Sequence, residues 1–278
     1  MKTKLLTALL TASACFAQGH RSFSVAVQGS GPAMILIPGL ECSRDVWQGF
    51  IERYSSGYEI HAVTIAGFAG EPAVPGLRLE QVKDDLIAYI RERNLVKPVI
   101  VGHSLGGFLA FWIGSSAPDR VGPIISVDGL PFLPAMMGGA ADAGQMRALY
   151  ASMKPGQLEN MSRMALAQMI SNPKQLETAA KWAGRSDPSF VGQAMYDLMT
   201  TDLRPELRKL RGPVLLIGGA KAFSSDPQQL AKVRAAYEEQ VQAAGDCKVV
   251  MAERALHFVM LDDPEFLYRV TDEFLGGR

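Results

Sequence analysis

Cysteine and histidine are scarce in this chain, with three of the first and four of the second among 278 residues. Cys15, Cys42 and Cys247, with His20, His61, His103 and His257, show no metal-ligand spacing and make no disulfide framework. Neither sign of charge is in excess, since Lys plus Arg and Asp plus Glu each number 28. Such a chain has no basic excess for a phosphate backbone and no acidic tail, which argues against nucleic acid as a partner. No apolar run is long enough to span a bilayer, so stable membrane insertion is not expected. Internal repeats and low-complexity tracts are absent. So are the glycine order of a dinucleotide loop and the lysine of a phosphate loop. No cofactor is implied.

What the chain does contain begins with a targeting signal. Lys2 and Lys4 precede a short apolar run, Leu5 to Ala14, and a small-residue region closes at Ala17. That order predicts a secretory signal peptide over residues 1–17 and a periplasmic or secreted protein. Anchoring as a lipoprotein through Cys15 is the weaker reading, because Ala12 stands where a larger aliphatic residue is usual. Cleavage after Ala17 leaves 26 basic and 28 acidic side chains, a net charge of −2. It also leaves Cys42 and Cys247. The first follows one strand and the second precedes another, at opposite ends of a parallel sheet, so no disulfide between them is expected.

Short β-branched runs alternate with amphipathic stretches along the rest of the chain. Residues 33–37, 60–65, 98–101, 123–127, 213–217 and 248–251 read as continuous apolar strands, most of them closed by glycine. Continuous rather than alternating runs are the mark of a parallel sheet covered on both faces. Only residues 23–28 read as an exposed edge strand. Leu79, Val82, Leu86, Ile87 and Ile90 give one apolar helix face, and Phe266, Leu267, Val270, Phe274 and Leu275 give another. The pattern predicts an α/β fold with a doubly wound, mostly parallel sheet.

The alternation fails between residues 130 and 210, which hold nine of the 13 methionines in helical periods. One set is Met146, Leu149, Tyr150 and Met153; the other is Met161, Met164, Leu166 and Met169. The expected organisation is therefore a core of residues 18–129 and 211–278 with a helical cap of residues 130–210. The methionines either line an adaptable apolar pocket or pack the cap helices.

Val99 to Gly107 reads Val-Ile-Val-Gly-His-Ser-Leu-Gly-Gly, a strand running straight into Gly-x-Ser-x-Gly with an apolar helix after it. A serine hydroxyl is a weak nucleophile until a base takes its proton, so it must stand clear of the sheet where a base can reach it. A tight strand-to-helix turn does this, and the helix N-terminus then aims free N–H groups at the developing negative charge. On these residues the chain resembles the α/β-hydrolase superfamily from about Phe23 onward, with Gly102–Gly107 similar to the nucleophile elbow of its esterases and lipases.

The resemblance implies the α/β-hydrolase fold, with Ser104 as nucleophile and the backbone N–H groups of Leu40 and Leu105 as oxyanion donors. The Pro38-Gly39-Leu40 turn then stands where many relatives carry His-Gly. The superfamily order is serine, acid, histidine. His257 is the one histidine beyond the last strand, and it is expected to be the base. Most relatives carry the acid after the strand that corresponds to residues 213–217, but Gly218 to Phe223 holds no carboxylate. Asp128, at the end of the strand beside the serine strand, is the first choice. Asp226 is the alternative, although Asp226-Pro227-Gln228-Gln229 also reads as a helix cap, and Asp262 or Asp263 comes last. The expected activity is hydrolysis of a carboxylic ester in a small-molecule acyl substrate. A lyase, lactonase or perhydrolase on the same triad, or a non-catalytic secreted binding protein, are the alternatives. The sequence gives no oligomeric state.

Overall fold

A computed structural model describes residues 22–136, 142–154 and 156–276. The expected signal peptide lies outside the described residues. Seven strands form one sheet: β1 (Phe23–Gly29), β2 (Ala33–Ile37), β3 (Glu59–Ile65), β4 (Val99–His103), β5 (Ile124–Val127), β6 (Val214–Gly219) and β7 (Cys247–Ala252). Their order across the sheet is β1-β3-β2-β4-β5-β6-β7. Every pairing is parallel except that of β1 with β3.

Strands β2 to β6 are buried on both sides, as their continuous apolar runs require, whereas β1 is exposed from Ala26 to Gly29 at the sheet edge. Ile35 and Ile37 of β2 belong to one hydrophobic cluster, and Met34 and Leu36 to the other. The period of two sends successive side chains to opposite faces. Helices α1 (Gln48–Tyr54), α2 (Leu79–Glu92) and α3 (Leu105–Ser116) cover the sheet with helices from the C-terminal part. On one face Leu86 of α2 and Phe108 of α3 pack with Ile35. On the other Phe50 of α1 packs with Leu36. Helix α3 is buried nearly all round, from Leu105 to Ser115.

Between β5 and β6 the described residues form four α-helices and no strand: α4 (Ala143–Ala151), α5 (Gln157–Leu166), α6 (Pro173–Ala183) and α7 (Pro188–Thr200). Helix α4 packs on α7, and α5 on α6. Leu158, Phe190 and Leu198 join one cluster while Leu166, Ala180 and Trp182 join the other, so this insert straddles both faces of the sheet. The helical periods expected here need correction at three positions. Leu149 is 56 % exposed, Met164 is 70 % exposed and Met169 is 37 % exposed, so none of them is buried in the packed side. Met153 and Met161 do pack against the core.

The last part of the chain supplies α8 (Pro227–Gln240), α9 (Val259–Asp262) and α10 (Pro264–Gly276). Tyr237 of α8 packs on the α2 and α3 face, and Leu267 and Phe274 of α10 on the α1 face. Cys42 and Cys247 are free thiols. Cys42 follows β2 and Cys247 opens β7, four strand spacings away, or roughly 19 Å. A bridge needs Cα atoms about 4.4–6.8 Å apart, so the sheet keeps them separate.

Candidate active site

The winding of the sheet reverses between β2 and β4, because β3 lies on one side of β2 while β4 to β7 extend on the other. Crevices at such reversals, beyond the carboxyl ends of the strands, are where open α/β sheets bind ligands. Leu40 follows β2 and Ser104 follows β4, so both stand at this crevice.

Ser104 lies between the last residue of β4 and the first of α3, with φ 52° and ψ −115°. A non-glycine residue held there stores about 1–3 kcal/mol of strain. The surroundings impose it. The Ser104 N–H donates to the Val127 carbonyl at 2.9 Å, and the Phe108 N–H to the Ser104 carbonyl at 3.0 Å. The flanking glycines are demanded by close approach. A Cβ on Gly102 would lie 2.1 Å from the Gly106 carbonyl oxygen, and one on Gly106 would lie 2.1 Å from that of Ile37. The elbow is therefore pressed onto the end of β2, and a Cβ on Gly39 would come 3.3 Å from the Ser104 Cβ.

His257 lies in the segment between β7 and α9, with its side chain a quarter exposed. Its Nδ1 is 2.5 Å from Asp128 Oδ2. An ionised carboxylate only accepts, so Nδ1–H donates and Nε2 is left with a free lone pair. Asp128 follows β5 directly, in a left-handed conformation with φ 52° that its Asp-Gly turn tolerates. Its other oxygen, Oδ1, accepts from the Tyr237 hydroxyl at 2.6 Å and from the Gly219 N–H at 2.8 Å.

Asp226 is elsewhere in role. Its Oδ1 accepts from the N–H groups of Gln228 (2.9 Å) and Gln229 (3.2 Å), which caps α8. Asp262 accepts from Leu256 N–H and from Ser171, and Asp263 pairs with Arg254. The loop after β6, where most relatives hold the acid, is engaged through its backbone. Ala220 N–H donates to the Ala252 carbonyl and Lys221 N–H to that of Ala255.

Three site neighbours carry no sequence signal of their own. Tyr237 lies on α8, more than 100 positions from Asp128. Burial and the nearby Asp128 charge hold its phenol well above the ordinary tyrosine range. It therefore stays a proton donor. His103 is fully buried, and its Nε2 lies 3.2 Å from the His257 carbonyl. The two imidazole rings stand 4.7 Å apart. Burial, then the proximity of His257, push the His103 imidazole well below its usual range and keep it neutral. Glu41, next to Leu40, is the third. Its φ is 63°, and its Oε2 accepts from the Ser162 hydroxyl of α5 at 2.8 Å. Burial raises its carboxyl to about 7. Cys42 is buried without an adjacent base, and its thiol is pushed well up. Among the described residues no group of three His, Cys, Asp or Glu side chains is placed to hold a metal ion. No helix among them is long and apolar enough to cross a membrane.

The sequence profile of the Alpha/beta hydrolase family matches residues 34–270. The chain belongs to the α/β-hydrolase family. Within this family it is 26 % identical over 199 residues to a pimeloyl-[acyl-carrier protein] methyl ester esterase of Aliivibrio salmonicida, covering 69 % of this chain and 75 % of that one. It is 25 % identical to the esterase of the same name from Aeromonas hydrophila, over 92 % of this chain and all of the other. The enol-lactonase of Burkholderia xenovorans LB400 has a similar structure, with a TM-score of 0.75, 15 % identity and coverage of 91 % and 96 %. At that identity the likeness speaks for the α/β-hydrolase fold alone.

Proposed function

We propose that Ser104, His257 and Asp128 are the nucleophile, base and acid through which this α/β hydrolase cleaves a carboxylic ester. The chain is a carboxylic ester hydrolase, an activity that its esterase relatives support. The observation that carries the assignment of roles is the Asp128–His257 hydrogen bond at the crevice where Ser104 is held in its strained turn.

Ser104 Oγ attacks the acyl carbon as its proton passes to His257 Nε2, and Asp128 stabilises the imidazolium that results. The N–H groups of Leu40 and Leu105 are the donors for the oxyanion. Collapse expels the alcohol, which takes the proton from His257. Water then attacks the acyl-enzyme, His257 receives its proton and returns it to Ser104, and the acid leaves. Residues 130–210 form the cap under which the substrate binds.

Removal of the nucleophile is the direct test. Ser104→Ala should fold normally and lower turnover of short-chain esters by several orders of magnitude, leaving about 10³–10⁴-fold catalysis over water. A fluorophosphonate probe should label the wild type and not the variant. A variant retaining a tenth of wild-type turnover would remove Ser104 from the mechanism.

A further inference from the structure

The oxyanion loop carries a carboxyl group that the ester-cleaving reaction does not use. Glu41 follows Leu40 in sequence and sits in the left-handed region, where a non-glycine residue is held at a cost. Its side chain reaches from the loop to the insert, where Oε2 accepts the Ser162 hydroxyl of α5. Oε1 is buried and has no hydrogen-bond partner. Tyr150 of α4 lies close enough to feel the Glu41 charge. The cations nearest in sequence on the insert are engaged elsewhere, Arg163 with Glu159 and Glu177, and Arg147 over the Tyr196 ring. Among the described residues none forms an ion pair with Glu41.

A buried carboxyl with one oxygen unsatisfied is a standing cost, because desolvation is not repaid by a partner. The cost falls when a ligand brings the missing donor. The group lies one residue from a proposed oxyanion donor and under the insert, so that ligand is the substrate. The torsion that carries the two oxygens is broad, and either oxygen can turn toward the donor. A positively charged donor fits best, since it both fills Oε1 and neutralises a charge that the surroundings leave unpaired.

We propose that Glu41 is a specificity-determining residue that selects esters bearing a cationic hydrogen-bond donor, such as a primary ammonium group, beyond the scissile bond. The proposal rests on the esterase reading above. It predicts that a terminal carboxylate in the same place is disfavoured, by like-charge repulsion at the unpaired oxygen.

The test uses three matched methyl esters whose acyl chains of five to seven methylenes end in ammonium, methyl or carboxylate. The ratio of kcat/KM between termini is compared within each protein, so a general loss of activity cancels. In the wild type the ammonium ester should exceed the methyl-ended one by about tenfold at one chain length or more, the worth of one charge-assisted contact. The carboxylate ester should fall below it. The ammonium preference should grow from pH 6 to pH 8 as Glu41 ionises, since the ester ammonium, Tyr150 at about 12 and the more strongly raised Cys42 keep their charge states there. Glu41→Gln should abolish the ratio and its pH dependence. Equal ratios in both proteins, or no preference at any length, overturn the proposal. A loss in Glu41→Gln that is uniform across the three esters also overturns it, and assigns Glu41 to fastening the insert. Activity on the methyl-ended ester that Ser104→Ala removes tests the esterase reading separately. A binding arm needs no turnover: n-hexylammonium should bind wild type more tightly than n-hexanol, and Glu41→Gln should bind the two alike. Wild-type binding without that difference counts against the proposal.

Discussion

Asp128 holds three donors on two oxygens, and each comes from a different element: His257 after β7, Tyr237 on α8 and Gly219 at the end of β6. Such a cage fixes both the position of the carboxylate and, through Nδ1, the tautomer of His257. Asp128→Asn keeps the shape but offers an amide that cannot stabilise an imidazolium. It should cost about 10⁴ in kcat while circular dichroism and melting remain near wild type, as the loss of a triad acid does. Turnover within tenfold of wild type would show that another group balances His257. Asp128 was legible in the sequence as a carboxylate closing the strand beside the serine strand. Tyr237 was not, because nothing in its local pattern distinguishes it from other apolar positions on α8. Its partner is distant in sequence and is met only when the helix docks.

At the scale of elements, the inner strands were readable because their apolar runs are unbroken, and that is the direct consequence of burial on both faces. The insert was readable only as helical. Leu149 and Met164 fit a helical period and yet face solvent, since an amphipathic pattern fixes spacing and not what a helix packs against. The cap signature before α8 was the sounder guide. Asp226-Pro227 predicted an N-cap, and Asp226 accepts two backbone N–H groups there. The Asp226 N–H in turn donates to the Phe223 carbonyl. Asp226→Asn should therefore leave both activity and melting temperature nearly unchanged, as asparagine caps equally well. Asp226→Ala should lower stability by about 1 kcal/mol without a loss of kcat. Inactive Asp226→Asn protein would return the acid to the loop after β6.

Over the whole molecule, buried titratable groups pull stability in opposite directions with pH. His103 is held neutral in the folded chain, so its contribution is complete above the unfolded value near 6.5 and is lost as the pH falls below it. Glu41 is raised from 4.5 to about 7, so the folded chain favours its protonated form. Its contribution is present at low pH and is lost as the pH rises from 4.5 through 7. Relative to Glu41→Gln, the wild type should lose on the order of 3 kcal/mol across that window. Parallel melting curves from pH 4.5 to 8 would mean that the carboxyl is solvated. The position of β7 has a different consequence. It is the last strand of the sheet and is paired on one side only, with Arg234 alone reaching a carbonyl, that of Val249, from α8 among the described residues. Ser104 and Asp128 ride on β4 and β5 in the middle, whereas His257 depends on this border strand. Gentle heating should therefore separate the histidine from its partners before the central strands let go. The half-temperature for inactivation should fall below that for loss of the strand signal, with amide exchange at residues 247–252 outpacing that at 99–103. The working life of the protein is then set by its margin, not by its core.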